Sequence, residues 1–262
     1  MSFKVRVAAQ NPGQFFACCG LFELADRLTG GAEARFDATH FIVDAQCTLT
    51  ELLDRWTACP VEQLEADDDT ASPMRIGRPF DLMLDWWKDT DSGGRDLKVW
   101  AGTMQSGRIM RAMTAALRNA QFHTEGLLDV GCIVYDPDEP TKKVEPFYFD
   151  ARRAPNSHSR DVGFSPNDLD LTTTAFPAVE ALALVGLQRC RPAPVANRKR
   201  IFDYRAWATP IPVAVTAPVV AGAVNLPGSY RFRFEVWFRT GQRKHKAFRP
   251  AILIDKGEMP DA

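Results

Sequence analysis

The sequence predicts an α+β fold with a mixed, largely antiparallel sheet and packed helices. Three observations support this. Residues 3–7 alternate apolar and charged side chains, as a half-buried strand does. A helix with an apolar stripe follows, from residue 12 to the glycines at 30 and 31. Residues 230–234 alternate again, as Tyr-Arg-Phe-Arg-Phe. Because strand and helix patterns interleave, we expect the chain to open with a β-α-β unit.

The first helix carries clear start signals. Asn11 is a favourable N-cap, Pro12 takes the first helical position, and Gln14 stands three residues after the cap, as in a capping box. Cys18 and Cys19 lie on the buried side, about 100° apart. We therefore expect both thiols to pack in the core and not to share a metal. Free N–H groups at this entrance could hold a phosphate, but a cap by Asn11 is the interpretation that we favour.

The other strands and helices are predicted from the same two patterns, alternation of apolar and polar residues for strands and an apolar stripe at helical spacing for helices. The predicted strands or extended segments are 34–36, 41–43, 80–87, 97–100, 132–135, 146–149, 230–237 and 251–254. The predicted helices are 48–58, 103–119 and 178–187, and residues 150–174 are expected to form an irregular loop.

The composition is that of an ordinary globular protein, with 45% apolar and 25% charged residues. We expect an N-terminal α+β lobe over residues 1–125 and a C-terminal basic α+β lobe over residues 126–262, or one compact domain that includes both. No apolar run approaches the roughly 20 residues of a membrane span, and the N-terminus lacks a secretory pattern. A cytoplasmic protein without membrane contact, its six cysteines reduced, is the expectation.

The charges are distributed unevenly along the chain. Residues 1–100 hold 10 Lys and Arg against 17 Asp and Glu, whereas residues 189–262 hold 14 against 5. This asymmetry predicts an acidic half that faces water or protein and a basic C-terminal part that suits polyanions.

Several basic patches indicate nucleic-acid binding, because cations contact phosphates and aromatic rings stack on bases. The rings of Tyr204 and Trp207 stand next to one such patch. The candidate binding residues are Gln105, Arg108 and Arg111 on the 103–119 helix, then Arg198, Lys199 and Arg200, and finally Arg231, Arg233, Arg239, Arg243, Lys244 and Lys246.

Common enzyme motifs are missing from the sequence: there is no GxxxxGK[ST], GxGxxG, GxSxG or HExxH. The four histidines, at 40, 123, 158 and 245, share no ligand spacing, so we expect no metal and no other cofactor. His245 lies among cations and is compatible with acid–base work on an RNA phosphodiester, which Lys244 or Lys246 would assist.

Four segments carry a family resemblance. They are NPGQFFACCGLFELADRL at 11–28, LDWWKD followed by LKVWAGTMQSGRI between 84 and 109, DVGFSPND at 161–168, and PAVEALALVGLQRCRP at 177–192. Together they resemble the small CRISPR-associated proteins of type I-U loci, also called type I-G. The resemblance extends from residue 5 to about residue 210, and its motifs do not report a reaction.

The resemblance implies a non-enzymatic subunit of an RNA-guided, Cascade-like surveillance complex in antiviral defence. Its implied partners are other Cascade-type Cas subunits, guide RNA, target DNA or both, and a helicase-nuclease recruited at interference. In such complexes base pairing supplies specificity, while protein subunits hold the backbone, the guide-RNA handle or the PAM duplex. The motifs add Lys98, Arg152, Arg153 and Arg160 to the candidate binding residues.

Two alternatives stay open. One is a metal-independent endoribonuclease that processes precursor guide RNA with His245 or His158, although the glycine-rich loop typical of such nucleases is absent near the C-terminus. The other is a protein-interaction scaffold that makes no direct contact with nucleic acid. We expect Trp86, Trp87 and Trp100 to anchor the core, because large aromatic side chains do so more often than they stack on bases.

Overall fold

The computed structural model describes residues 1–64, 71–102, 104–156, 174–238 and 245–256. Its α-helices are α1 (Pro12–Thr29), α2 (Leu49–Thr57), α3 (Gly94–Leu97), α4 (Ser106–Ala116), α5 (Pro177–Arg189) and α6 (Thr216–Val220). Its strands are β1 (Ser2–Arg6), β2 (Ala32–Asp37), β3 (His40–Ala45), β4 (Val61–Gln63), β5 (Met74–Ile76), β6 (Leu82–Leu84), β7 (Ala193–Pro194), β8 (Ile201–Ala206), β9 (Ile211–Pro212), β10 (Tyr230–Phe238), β11 (Lys246–Phe248) and β12 (Ile252–Lys256).

The strands form three sheets whose named strands all pair antiparallel. The N-terminal sheet has the order β1-β3-β2-β9, and the C-terminal sheet has the order β11-β10-β8-β7, with β12 also pairing with β10. The third sheet is β4-β5-β6. Since β1 and β2 both run antiparallel to β3, they are parallel to each other. The predicted α+β class and the opening strand-helix-strand order are therefore confirmed.

Helices α1 and α5 pack closely against each other in the core. A methyl group at Gly20 of α1 would overlap the carbonyl oxygen of Leu182, and one at Gly186 of α5 would overlap the carbonyl oxygen of Phe16. The two glycines therefore allow the two backbones to approach each other. The prediction that the apolar 178–187 segment is a buried helix is confirmed, since every residue from Pro177 to Leu187 is buried.

The entrance of α1 is closed by the chain at residues 149–151. The Asn11 side-chain oxygen accepts from the Gly13 N–H at 3.1 Å and from the Ala151 N–H at 3.0 Å. A methyl group at Gly13 would overlap the Phe149 carbonyl oxygen. The N-cap prediction is confirmed, and the alternative of a phosphate at this entrance is wrong because protein backbone fills the space. The capping box is also wrong, since Gln14 Oε1 accepts from Ala8 N–H at 2.7 Å.

Several element predictions are confirmed. Helix α2 begins at its Thr48 cap with a complete capping box through Glu51. Strands β2 and β3 match the predicted 34–36 and 41–43 segments, and β10 and β12 match the two C-terminal predictions. In β10 the predicted alternation is clear, with Phe232 and Phe234 buried and the alternating Arg231 and Arg233 half-buried.

The predicted strand over residues 80–87 is wrong beyond its centre. Only Leu82–Leu84 is extended, and a short 3-10 helix at Trp86–Lys88 follows. This turn buries both Trp86 and Trp87, and the Trp86 indole N–H donates to the Leu184 carbonyl oxygen on α5 at 3.0 Å. Two neighbouring residues of a strand point to opposite faces, so a strand would not bring both rings into contact with Trp100.

Three other local predictions need correction. Leu97 ends helix α3 instead of opening a strand. Helix α4 is shorter than the predicted 103–119 segment, and Thr103 lies outside the described residues. Residues 132–135 form only isolated bridges, and 146–149 form no strand. At the end of that last segment, the Phe149 and Asp150 N–H groups donate to the buried Glu180 carboxylate, both at 3.1 Å, instead of to a neighbouring strand.

Buried apolar residues from Val5 to Ala251 form one continuous cluster that draws on both predicted lobes. Cys18 and Cys19 lie in this core, as predicted, and burial raises the pKa of both thiols. In the described ranges no helix has the length and hydropathy that crossing a bilayer requires.

Candidate nucleic-acid interface

Four cations from three distant segments converge beside the end of β10. They are Arg95 on α3, Lys98 just after it, Arg200 before β8, and Lys246 at the start of β11, and we call them the basic cluster. Lys98, Arg200 and Lys246 are among the residues that the sequence predicts. Arg95 was missed, because it directly follows the loop tip predicted at residues 92–94 and this stretch gives no helix signal.

Lys246 joins two of these segments. Its backbone N–H donates to the Val99 carbonyl oxygen at 3.2 Å. Its ammonium group donates to the carbonyl oxygens of Arg95 and Asp96, at 3.3 and 3.1 Å. Carbonyl groups in the last turn of a helix have no partner within the helix, so a lysine is a favourable neighbour there.

Arg200 approaches from the other side of β10. Its carbonyl oxygen accepts from the Val236 N–H at 2.9 Å, and its guanidinium lies 4.5 Å from the ring centre of Phe238. Phe238 pairs directly with Lys246 across the β10–β11 ladder. The Arg200 Nε is buried and has no hydrogen-bond partner in the described part of the chain. Arg198 and Lys199 are exposed in the same turn.

Lys98 is held by an aromatic neighbour. Its ammonium group lies 5.1 Å from the ring centre of Trp100, a favourable cation–π contact. Trp100 is buried and contacts Trp86 and Trp87 edge-on. The prediction that these tryptophans anchor the core is confirmed, and the anchored ring fixes the position of Lys98.

The charges of the basic cluster affect the pKa of Lys246. Burial of the ammonium group and, to a smaller extent, the charges of Arg200, Lys98 and Arg95 lower the pKa of Lys246 to about 8, against the opposing effect of Asp96. At the Lys246 ammonium group, three neighbouring cations are therefore repulsive and Asp96 is attractive. A polyanion would relieve this repulsion, and phosphodiester groups are the ligand chemistry that closely spaced lysines and arginines bind.

Two of the residues predicted on the 103–119 helix, Gln105 and Arg108, line a separate cavity of about 320 Å³. Arg108 forms ion pairs with Asp136 and, at 3.4 Å, with Glu139. Gln105 is exposed at the start of α4, and Arg111 is half-buried one turn from Arg108. The charge of Arg108 is therefore compensated by two carboxylate partners.

Arg152 and Arg153 differ in their surroundings. Arg152 contacts Asp150 at 2.6 Å and Asp129 at 3.0 Å, and its guanidinium lies 3.6 Å from the ring centre of Phe176. Arg153 is buried, and its Nε has no hydrogen-bond partner in the described ranges. Arg152 thus ties the α1 entrance to the chain before α5.

Arg231 and Arg233 both donate to Asp203, with shortest distances of 2.6 and 2.7 Å. The predicted stacking role of Tyr204 and Trp207 is wrong, because both rings are fully buried. Four predicted residues lie outside the described residues, and so does His158. The four are Arg160, Arg239, Arg243 and Lys244.

Comparison with known proteins adds no relative: no family model, no curated protein and no solved structure matches this chain.

Proposed function

We propose that this protein is a non-enzymatic subunit of a cytoplasmic type I CRISPR surveillance complex and that its basic cluster contacts the phosphate backbone of nucleic acid. Two independent observations support the proposal. Four sequence segments resemble the type I-U proteins, and cations from three distant segments converge at one place. The convergence carries most weight, because it depends on tertiary structure and not on the composition of any one stretch.

The geometry favours nucleic acid over a folded acidic protein as the ligand. Trp100 positions Lys98, Phe238 positions Arg200, and the α3 carbonyl groups position Lys246. Cations positioned in this way lose little conformational freedom when they bind phosphates, and the neighbouring exposed Arg198 and Lys199 extend the surface. The remaining partners proposed are other Cascade-type Cas subunits, with a helicase-nuclease recruited at interference.

A binding assay tests the backbone contact. Wild-type protein and the double variant Arg200→Ala/Lys246→Met would be titrated against fluorescent CRISPR repeat RNA, duplex DNA and single-stranded DNA at ~0.1 M salt. We expect the double variant to bind at least about tenfold more weakly and to show a shallower salt dependence. A control variant, Arg55→Ala on the exposed face of α2, should bind like wild type.

Co-expression tests the assembly. The tagged chain would be expressed with the neighbouring CRISPR subunits and an array, and the eluted proteins and nucleic acids identified. Recovery of a ribonucleoprotein supports the proposal. If the wild-type chain elutes alone and binds none of the three probes, the proposal is wrong. A complex that forms equally well with the double variant and binds no nucleic acid through this chain would favour the scaffold alternative.

A ribonuclease is the second candidate, because Lys246, with a pKa near 8, follows His245 directly in the chain. A lysine that exchanges its proton near neutral pH can assist acid–base chemistry at a phosphodiester. Incubation of the protein with repeat RNA in the presence of a chelator tests this candidate. Cleavage that is lost in His245→Ala would establish it, and intact RNA would eliminate it.

A further inference from the structure

A second group of cations lies on the face of the C-terminal sheet that points away from the core. On β8 and β10, the buried side chains Phe202, Tyr204, Phe232 and Phe234 line the core face. The opposite face carries Asp203 and Arg205 from β8, and Arg231 and Arg233 from β10. Glu235 follows on the same face of β10, and Asp255 of β12 pairs directly with Arg231. The charged side chains that line the cavity on this face are Arg205, Arg231 and Asp203, with a net charge of +1.

The pairing on this face is unfavourable in one place. Arg205 lies directly opposite Arg231 in the β8–β10 ladder, and like charges in this position destabilise a sheet. Asp203 does not relieve the repulsion at Arg205, because Arg231 and Arg233 already occupy both of its oxygen atoms. Burial opposes ionisation of Asp203, but the hydrogen bonds from Arg233 and Arg231 outweigh it and lower its pKa.

Arg205 itself has no carboxylate partner among the described residues. It is half-buried and lies against the turn after α6, where a methyl group at Gly222 would come within 3.0 Å of its Nε. Gly222 has a φ of 78°, a conformation that favours glycine. The turn therefore confines the guanidinium without neutralising it.

A cavity of about 420 Å³ opens at these arginines. Arg205, Arg231 and Asp203 line one side, and Val195, Val220 and Ala221 supply apolar walls. Cavities of a few hundred Å³ with mostly apolar walls and a few converging polar groups are typical small-molecule sites. The volume is larger than a bare phosphate needs and suits a phosphate attached to an apolar or planar group.

We propose that this cavity binds a phosphate monoester carried by a nucleotide, with Arg205 and Arg231 as its phosphate-binding residues. A guanidinium group can match phosphate oxygens with two parallel hydrogen bonds and stays charged at all physiological pH values. Arg205 would bind in this way, and Arg231, whose Nε and Nη2 donate to Asp203, would add its remaining N–H groups. A bound dianion would convert the Arg205–Arg231 repulsion into two attractions. The same chemistry is offered by a free nucleoside monophosphate and by the terminal phosphate of an oligonucleotide.

The phosphate site is separate from the basic cluster, although both border the β7–β8 hairpin. The turn of this hairpin carries Arg198, Lys199 and Arg200, whereas the cavity uses Asp203 and Arg205 farther along β8. The inference therefore goes beyond backbone binding, since it predicts dependence on a strand end or on a free nucleotide.

Calorimetric titration tests the site with four probes: AMP, adenosine, and one oligonucleotide with either a 5′-phosphate or a 5′-hydroxyl. We expect AMP to bind more tightly than adenosine, or the phosphorylated oligonucleotide to bind more tightly than its hydroxyl form. The first preference identifies a free nucleotide as the ligand and the second a strand end. Arg205→Ala should weaken the preferred probe by about ten- to a hundredfold. Arg55→Ala is the control and should bind normally.

The outcomes separate this site from the basic cluster. Arg200→Ala/Lys246→Met should weaken both oligonucleotides equally and leave the end preference intact. Unliganded Arg205→Ala should unfold at the same or a higher temperature than wild type, because the substitution removes a repulsion. The inference is wrong if neither phosphate probe is preferred at millimolar concentration, if Arg205→Ala keeps the preference, or if this variant loses several degrees of thermal stability.

Discussion

The lowered pKa of Lys246 predicts that nucleic-acid binding weakens above pH 7. A pKa of about 8 means that about 90% of the Lys246 side chains are charged at pH 7, about half at pH 8 and about 10% at pH 9. Phosphates bound beside the ammonium group would raise its pKa toward the ordinary value of 10.5. The charged form is then the one that binds.

The magnitude follows from this linkage. Affinity should fall about tenfold between pH 7 and pH 9, and binding at pH 8 should take up about half a proton at Lys246. The stability of the unliganded protein should depend on pH in the opposite direction, because the lowered pKa of Lys246 makes folding less favourable at low pH. Folding loses stability below about pH 8, where the buried ammonium must stay charged, and recovers it as the pH rises from about 8 toward 10.5.

The assay is titration of repeat RNA by anisotropy across pH 7 to 9, with calorimetry at pH 8 in buffers of different ionisation enthalpy. Lys246→Met keeps the buried apolar stem and removes the titrating group. Lys4→Met, on the exposed strand β1, is the matched control. We expect Lys246→Met to bind more weakly at pH 7 but with a flat pH profile, whereas Lys4→Met keeps the wild-type slope. Identical slopes in wild type and Lys246→Met would refute the reasoning.

Three further predictions concern the core. Gly186→Ala should lower the free energy of unfolding by about 3 kcal/mol or more, because the added methyl group separates α1 from α5. Gly31 has open space around it, so Gly31→Ala should change the free energy of unfolding by less than about 1 kcal/mol. Urea denaturation measures both values. Burial raises the pKa of Glu180 from its ordinary value of 4.5 to about 7, partly offset by its backbone N–H donors, so stability should decline as the pH rises from 4.5 to about 7; a Glu180→Gln variant with a parallel profile would contradict this. Cys18 and Cys19 should resist a thiol reagent in the native protein and react after unfolding, as mass spectrometry can follow; rapid native labelling would contradict their burial.

The elements that the sequence predicts well are those whose signals are local. Helix α2 has a capping box, α5 is apolar on every side, and β10 alternates over nine residues. Strands β4, β5 and β7 have two or three residues each, which is too short for a period to emerge. The turn at Trp86–Lys88 depends on an indole hydrogen bond to α5, about 100 residues later in the chain, and no local pattern contains it.

The candidate sites show the same contrast between local signals, which the sequence contains, and contacts between distant segments, which it does not. Basic side chains such as Lys98, Arg200 and Lys246 are recognisable in the sequence, but their convergence depends on the β10–β11 register and on the end of α3. Arg231 was predicted to face a ligand, and nothing in the sequence shows that Asp203 binds both it and Arg233. Arg205 gave no signal, because its interest arises only from the ladder that places it opposite another arginine.

The two proposed sites make a joint argument about how the β7–β8 hairpin would contact a nucleic acid. Its turn carries cations that do not distinguish one phosphodiester from another, whereas the cavity along β8 presents Arg205 and Arg231 to a terminal phosphate and the group attached to it. A strand held by the turn would have its end near Arg205 only in one orientation. If both sites act on the same molecule, substitution of Arg205 should abolish the strand-polarity preference and keep most of the salt dependence, because the basic cluster supplies more of the phosphate contacts.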